Sequence, residues 1–206
     1  MASIIATAIR WGAIVPLALE SAGIMGSPGP ATISLAATGS AYGIRRSLAY
    51  FAGIVAGTII VLVAVATGVT ATLLAAPAVR PVLIGVSAAY ILWLAVRIAT
   101  APPLAAQRDD GNAPSLGGAT LLAVANPKAW VAIAAVFASG RLADAASTDA
   151  AAKTVVLSAM IVLIMVAWLL AGASLAPVLR DPRRARVVNR ALATALVLAT
   201  GFAVVR

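Results

Sequence analysis

The chain has 206 residues, 63% of them apolar and only 10% charged, with a mean hydropathy of +1.06. That composition excludes an ordinary soluble domain and is what results when most of a chain lies in lipid. Cysteine and histidine are both missing, which excludes disulfides, thiolate or imidazole metal sites and Ser-His-Asp or Cys-His catalysis, so an enzyme is not expected, nor a cofactor.

Six hydrophobic segments can be cut at charges and prolines, roughly 11–42, 48–76, 82–100, 117–139, 154–179 and 190–205. Each is long enough for a span of ~20 residues or close to it. The expected fold is an all-α polytopic membrane protein with six transmembrane helices, forming one domain over 1–206. The N-terminus has no basic stretch before its apolar run and is expected to be retained. The most polar stretch, 101–115, divides the chain into halves of about 1–100 and 116–206. RLADAASTDAAAK, 141–153, reads as a second loop.

Lysine and arginine counts set the orientation. Arg45, Arg46, Arg97, Arg108, Arg180, Arg183, Arg184, Arg186 and Arg190 follow segments one, three and five. Arg10, Arg80, Arg141, Lys153 and Arg206 fall on the other side. The richer side is expected in the cytoplasm with the linker, leaving both termini outside. The net charge of +9 is thus read as membrane orientation, with anionic lipid heads near Arg180–Arg190, and not as nucleic-acid binding. Three spans per half is an odd number, so the halves are expected to be inverted repeats, a recurring transporter plan.

The first span is broken at GIMGSPGPAT (23–32) and the fourth at ANPKAW (125–130). Ser27-Pro28 and Asn126-Pro127 each place a good N-cap residue before a proline, the residue favoured at the first helical position. Pro28 lies 17 residues before Arg45 and Pro127 lies 14 before Arg141, roughly 25 and 21 Å of helix. Both breaks are therefore expected deep in the bilayer. A single transmembrane proline is ordinarily a kink; two of one kind at matching places call for more. Proline frees the carbonyl four residues earlier, here Ile24, Gly26 and Ala123. The restarting helices offer N–H groups near Ala31 and Thr32, and near Lys128 and Ala129. Such ends attract anions and freed carbonyls attract cations, so paired breaks suit a zwitterion such as an amino acid. The candidate substrate site comprises Ser27, Pro28, Gly29, Pro30 and Thr32 with Asn126, Pro127 and Lys128.

Glu20 and Lys128 are the acid and the lysine placed deep in apolar runs, where a charge costs ~2.5–3.5 kcal/mol. They are expected to form an ion pair, or Glu20 to exchange protons. The plainer alternatives are an interfacial Glu20 and a snorkelling Lys128. Gly53 and Gly57 form a small-xxx-small face for helix packing, within the chain or in a homo-oligomer.

The segments SPGPATISLAATGSAYGIRRSLAYFAGIVAG, AAYILWLAVRIA, GGATLLAVANPKAWVAIAAV and NRALATALVLATGFAVVR resemble, in this order, the LysE/RhtB superfamily of amino-acid exporters. The combination of Pro-Gly-Pro with Asn-Pro-Lys-Ala carries most of the likeness. The resemblance implies six hydrophobic segments in the bacterial inner membrane. It also implies efflux of amino acids or related small polar solutes, driven by ion gradients. Many members place a polar side chain directly after Pro-Gly-Pro, where this chain has Ala31; Glu20, Thr32 and Ser34 are candidate substitutes. Cation or heavy-metal efflux and a non-transporting scaffold are the competing readings.

Overall fold

A computed structural model describes residues 9–68, 79–100, 114–175 and 181–205. Arg108, Arg180, Arg206 and nearly all of the linker 101–115 lie outside the described residues. A 3-10 turn, Trp11–Ala13, leads into seven helices: α1 Ile14–Ile24, α2 Pro30–Ala66, α3 Val79–Ala99, α4 Leu116–Ala125, α5 Pro127–Ala138, α6 Ala146–Ala173 and α7 Pro182–Val205. No strand occurs among the described residues.

Helix starts and stops follow local chemistry. Pro30 opens α2 at its first position, where a missing N–H costs nothing. Gly29 precedes it in extended backbone and donates its N–H to Thr32 Oγ1 at 2.9 Å. This is half of a capping box, because glycine has no side chain to return the bond. Asn126 ends α4 and begins α5, accepting the Lys128 N–H on its side-chain oxygen at 3.1 Å. Asp181 caps α7, taking the N–H groups of Arg183 and Arg184 at 2.8 and 3.0 Å. The N–H groups of Arg184 and Arg183 hold its carboxyl below the ordinary value.

Three segment boundaries differ from expectation. The first and second segments are not separated by a loop. Helix α2 turns a corner at Gly43 alone, whose φ of 75° and ψ of 169° lie outside helical geometry. Glycine makes that corner possible, since a positive φ is costly for residues carrying a Cβ. The arginine-rich stretch between the fifth and sixth segments is helical from Pro182 onward, as the start of α7. The fifth segment starts earlier, so much of 141–153 is helical. Asp149 in its first turn folds back to accept the N–H groups of Leu142 and Ala143 at 2.5 and 3.3 Å.

Packing rests on small residues. Gly53 and Gly57 of α2 face α4, where an added Cβ would lie 2.7 Å from the Cβ of Ala119 and of Ala123 respectively. Gly39 meets Leu169, and Gly172 of α6 lies against the backbone of Ala36. Both glycine faces are therefore used inside the chain, with α2 as the central element between α4 and α6, and α3 packed on α7. Tyr50, Leu35, Ile54, Leu122 and Ile161 are fully buried between them, while Leu19, Val63, Val131, Val155 and Leu163 point outward. An apolar exterior over an apolar core is the pattern of a helix bundle in lipid. Among the described residues α2 and α6 are each long and apolar enough to cross a membrane; α4 and α5, bent by 61°, make a third span when taken together.

Candidate functional site

The prolines at the first break do leave carbonyls without a helical partner, and the structure fills them from inside the protein. Ile24 accepts from the Ser27 hydroxyl at 2.8 Å. Gly26 accepts from the indole N–H of Trp168, on α6, at 3.0 Å. The next two carbonyls, of Ser27 and Pro28, accept from the ammonium of Lys128, the latter at 3.1 Å. Lys128 belongs to the second break, so the two interruptions meet through one side chain. Gly29 makes room for it: a Cβ there would sit 2.7 Å from Lys128 Cδ and 2.8 Å from Nζ. The backbone of Gly29, with φ −170°, is open to any residue, and a side chain there would meet the flexible end of Lys128, which would have to shift.

The second break is handled differently. Lys128 N–H turns to Asn126, which leaves the carbonyl of Val124 without its helical donor. The indole N–H of Trp130 supplies the bond at 2.7 Å. Each break thus has one indole covering a stranded carbonyl. In a bilayer, backbone at this depth must be satisfied by protein or by a water-filled cavity.

A cavity of about 30 Å³ opens beside Lys128. Its lining includes Met25, Gly29, Ala31 and Thr32 from the first break, Thr58, Asn126, Ala129, Ala132 and Ile133, and Met165 from α6. A buried water needs ~10–15 Å³, so the space suits about two waters. Among the described residues Lys128 is the one charged side chain on this lining. Asn126 and Thr32, both 3% exposed, and Thr58, 4% exposed, are its buried polar residues. Thr32 is committed to the Gly29 backbone, and Ser34 donates to the Ala31 carbonyl at 2.8 Å. Neither hydroxyl is therefore placed as a ready substitute for the side chain that Ala31 lacks.

The structure does not pair Glu20 with Lys128. Glu20 Oε2 lies 2.6 Å from the Ser139 hydroxyl, at the end of α5. That hydroxyl is also 2.8 Å from the Val136 carbonyl. The Ser139 hydroxyl is thus shared between the Glu20 carboxylate and the Val136 carbonyl.

Sequence reasoning missed a second buried lysine. Lys153, taken for a loop cation, has a side chain only 4% exposed. It pairs with Asp149 at 3.1 Å and donates to the Phe137 carbonyl at 2.8 Å. The spacing Asp149–Lys153, i to i+4, was a visible signal for a helical pair. Arg10 and Asp144 form an exposed ion pair nearby, and the Arg10 N–H donates to the Leu142 carbonyl at 2.7 Å. No group of three metal-ligating side chains occurs among the described residues.

With this geometry in place, comparison with known proteins is specific. A family model described as LysE type translocator matches residues 22–205. Cysteine/O-acetylserine efflux proteins of Salmonella typhimurium, Salmonella typhi and Salmonella choleraesuis are each 38% identical over 76 residues, 37% of this chain. The match spans about two fifths (39%) of the length of those relatives. No solved structure matches the chain significantly.

Proposed function

The chain belongs to the LysE type translocator family, a transporter and not an enzyme, and on that premise we propose that it exports a small amino acid or related polar metabolite across the bacterial inner membrane. The observation that carries this reading is the Lys128 ammonium held on the carbonyls of Ser27 and Pro28. It brings the two broken helices to one point beside the cavity. The printed names of the relatives, cysteine/O-acetylserine efflux proteins, support a small amino-acid-like solute.

In this reading the solute sits between 27–30 and 126–128. Asn126 and the α5 start would face its carboxylate, and rocking of one half against the other would alternate access. The six-span inverted plan draws support from matching element lengths. Helix α1 has 11 residues and α4 has 10; α3 has 21 and α7 has 24. The corner at Gly43 divides α2 into 30–42 and 44–66, which correspond to α5 and α6. Both termini would then lie outside, the linker 101–115 inside, and the arginines at the start of α7 beside anionic lipid heads.

Coupling to a proton gradient is the form of energisation that Glu20 supports. Its side chain accepts from the Ser139 hydroxyl, so an acid set in an apolar run joins α1 to the end of α5. Glu20→Gln keeps a hydrogen-bonding group toward Ser139 and removes the carboxyl. Efflux that no longer responds to the pH gradient is the expected result; unchanged response would remove Glu20 from coupling.

The direct test is tolerance of cells overexpressing the protein to a panel of amino acids, analogues and metal salts, with Pro28→Ala and Lys128→Ala beside it. Resistance to one amino-acid class, lost in both variants, is expected. Resistance to metal salts alone would overturn the reading.

A further inference from the structure

We propose that the Lys128 ammonium is a tethered occupant of an ammonium subsite, formed by the Ser27 and Pro28 carbonyls, and that the amino group of the solute displaces it. The inference rests on the amino-acid reading above and adds how that site recognises its solute.

Three observations converge. First, the two carbonyls belong to consecutive residues in the non-helical stretch between α1 and α2, and both accept from one Nζ. Neutral carbonyls at a helix break favour a cation without carrying a charge of their own. Second, no carboxylate of the described residues lines the cavity. An incoming ammonium therefore has those carbonyls as its strong acceptors, and they are filled. Third, Gly29 lacks the side chain that would push Lys128 away, although its backbone does not require glycine. The fit between Gly29 and Lys128 is thus a feature of the occupied state.

Displacement balances itself. The solute ammonium takes over two hydrogen bonds, and the released Lys128 ammonium meets the solute carboxylate. The net charge in the site stays that of Lys128, so loading a zwitterion adds no uncompensated charge to a low-dielectric region. Release reverses the exchange, and the empty carrier resets with its carbonyls covered. The present cavity, room for about two waters, enlarges when the lysine stem swings out. A ligand with only one of the two charges leaves either Lys128 or the carbonyls unmatched, so amines lacking a carboxylate and N-acylated amino acids are poor ligands of the wild type.

The alternative is that Lys128 is only a tie between the halves. The full-length purified protein separates the two, using ethylammonium chloride against an equal concentration of sodium chloride. In Lys128→Ala the carbonyl pair is vacant. Ethylammonium is expected to raise the thermal midpoint of this variant. The wild type should need at least about tenfold more of it, since there a tethered, charge-assisted bond must be displaced first. Lys128→Met keeps the bulk of the stem and replaces the alanine variant if that does not fold. Restoration of transport by ethylammonium would show a tie and overturn the proposal. So would an absence of any stabilisation. If the wild type moves no amino acid, the functional reading fails by itself; stabilisation confined to the variant would still establish the ammonium subsite.

Discussion

At the first break residues 25–29 separate two helices; at the second only Asn126 does. The first has no side-chain cap and is rich in carbonyls, two of which accept from a lysine of the other half. The second is capped by its own Asn126 and contributes that lysine. One break is thus an acceptor surface and the other a donor. Both are backed by glycine: Gly172 of α6 lies against the helix that restarts after the first, and Gly57 of α2 against α4 before the second. Similar placement in the chain has produced complementary chemistry, which is what a two-charge solute between them requires.

The largest expected effect comes from pushing those backing helices away. Gly172→Val and Gly57→Val should each destabilise the protein by about 1–3 kcal/mol or more, because the space for a Cβ is already occupied by backbone or by Ala123. Thermal denaturation in detergent reads this. If Gly57→Val were neutral, the second break would not depend on α2 as described. Asn126→Ala should cost about 1 kcal/mol through loss of the cap on Lys128 N–H, whereas Asn126→Asp should keep it.

The indoles test the comparison more finely. Trp168→Phe and Trp130→Phe each strand one carbonyl, with an expected loss of ~0.6–1.7 kcal/mol for an interhelical bond in a membrane protein. The account expects the Trp168 change to alter transport as well, because Gly26 adjoins the carbonyls that hold Lys128. Equal transport in both variants would blur the distinction. The smallest effect is the Asp181 cap. Its carboxyl is held low in the folded state by the Arg184 and Arg183 N–H groups. Its stabilising contribution is therefore full above the ordinary value of 3.8 and fades as pH falls through the lower folded value. The difference in thermal midpoint between wild type and Asp181→Ala should shrink on that acid side.

The breaks were legible because proline cannot donate, and that is a property of one residue. What fills the freed carbonyls was not legible. Trp168 lies 142 residues from Gly26, and Lys128 lies 101 from Ser27; no local pattern announces such partners. Lys128 reads as costly in lipid from its apolar neighbours, and the sequence offers Glu20 as the nearest opposite charge. The structure answers the ammonium with backbone oxygens instead, which every sequence has and none advertises. Lys153 was misplaced for a related reason. Its surroundings are polar in sequence, yet Asp149 and Phe137 enclose it once α6 extends to Ala146. In the sequence Gly43 looks no different from Gly53 and Gly57; only backbone geometry distinguishes the corner from those packing sites.

The central claim is that the two breaks form one transport site. Counterflow of a radiolabelled small amino acid in proteoliposomes tests it most directly, with purified wild type, Gly29→Ala and Asn126→Ala compared at equal protein. The account predicts exchange by the wild type and loss of most of it in both variants, one disturbing each break. Full exchange by either variant would contradict the claim.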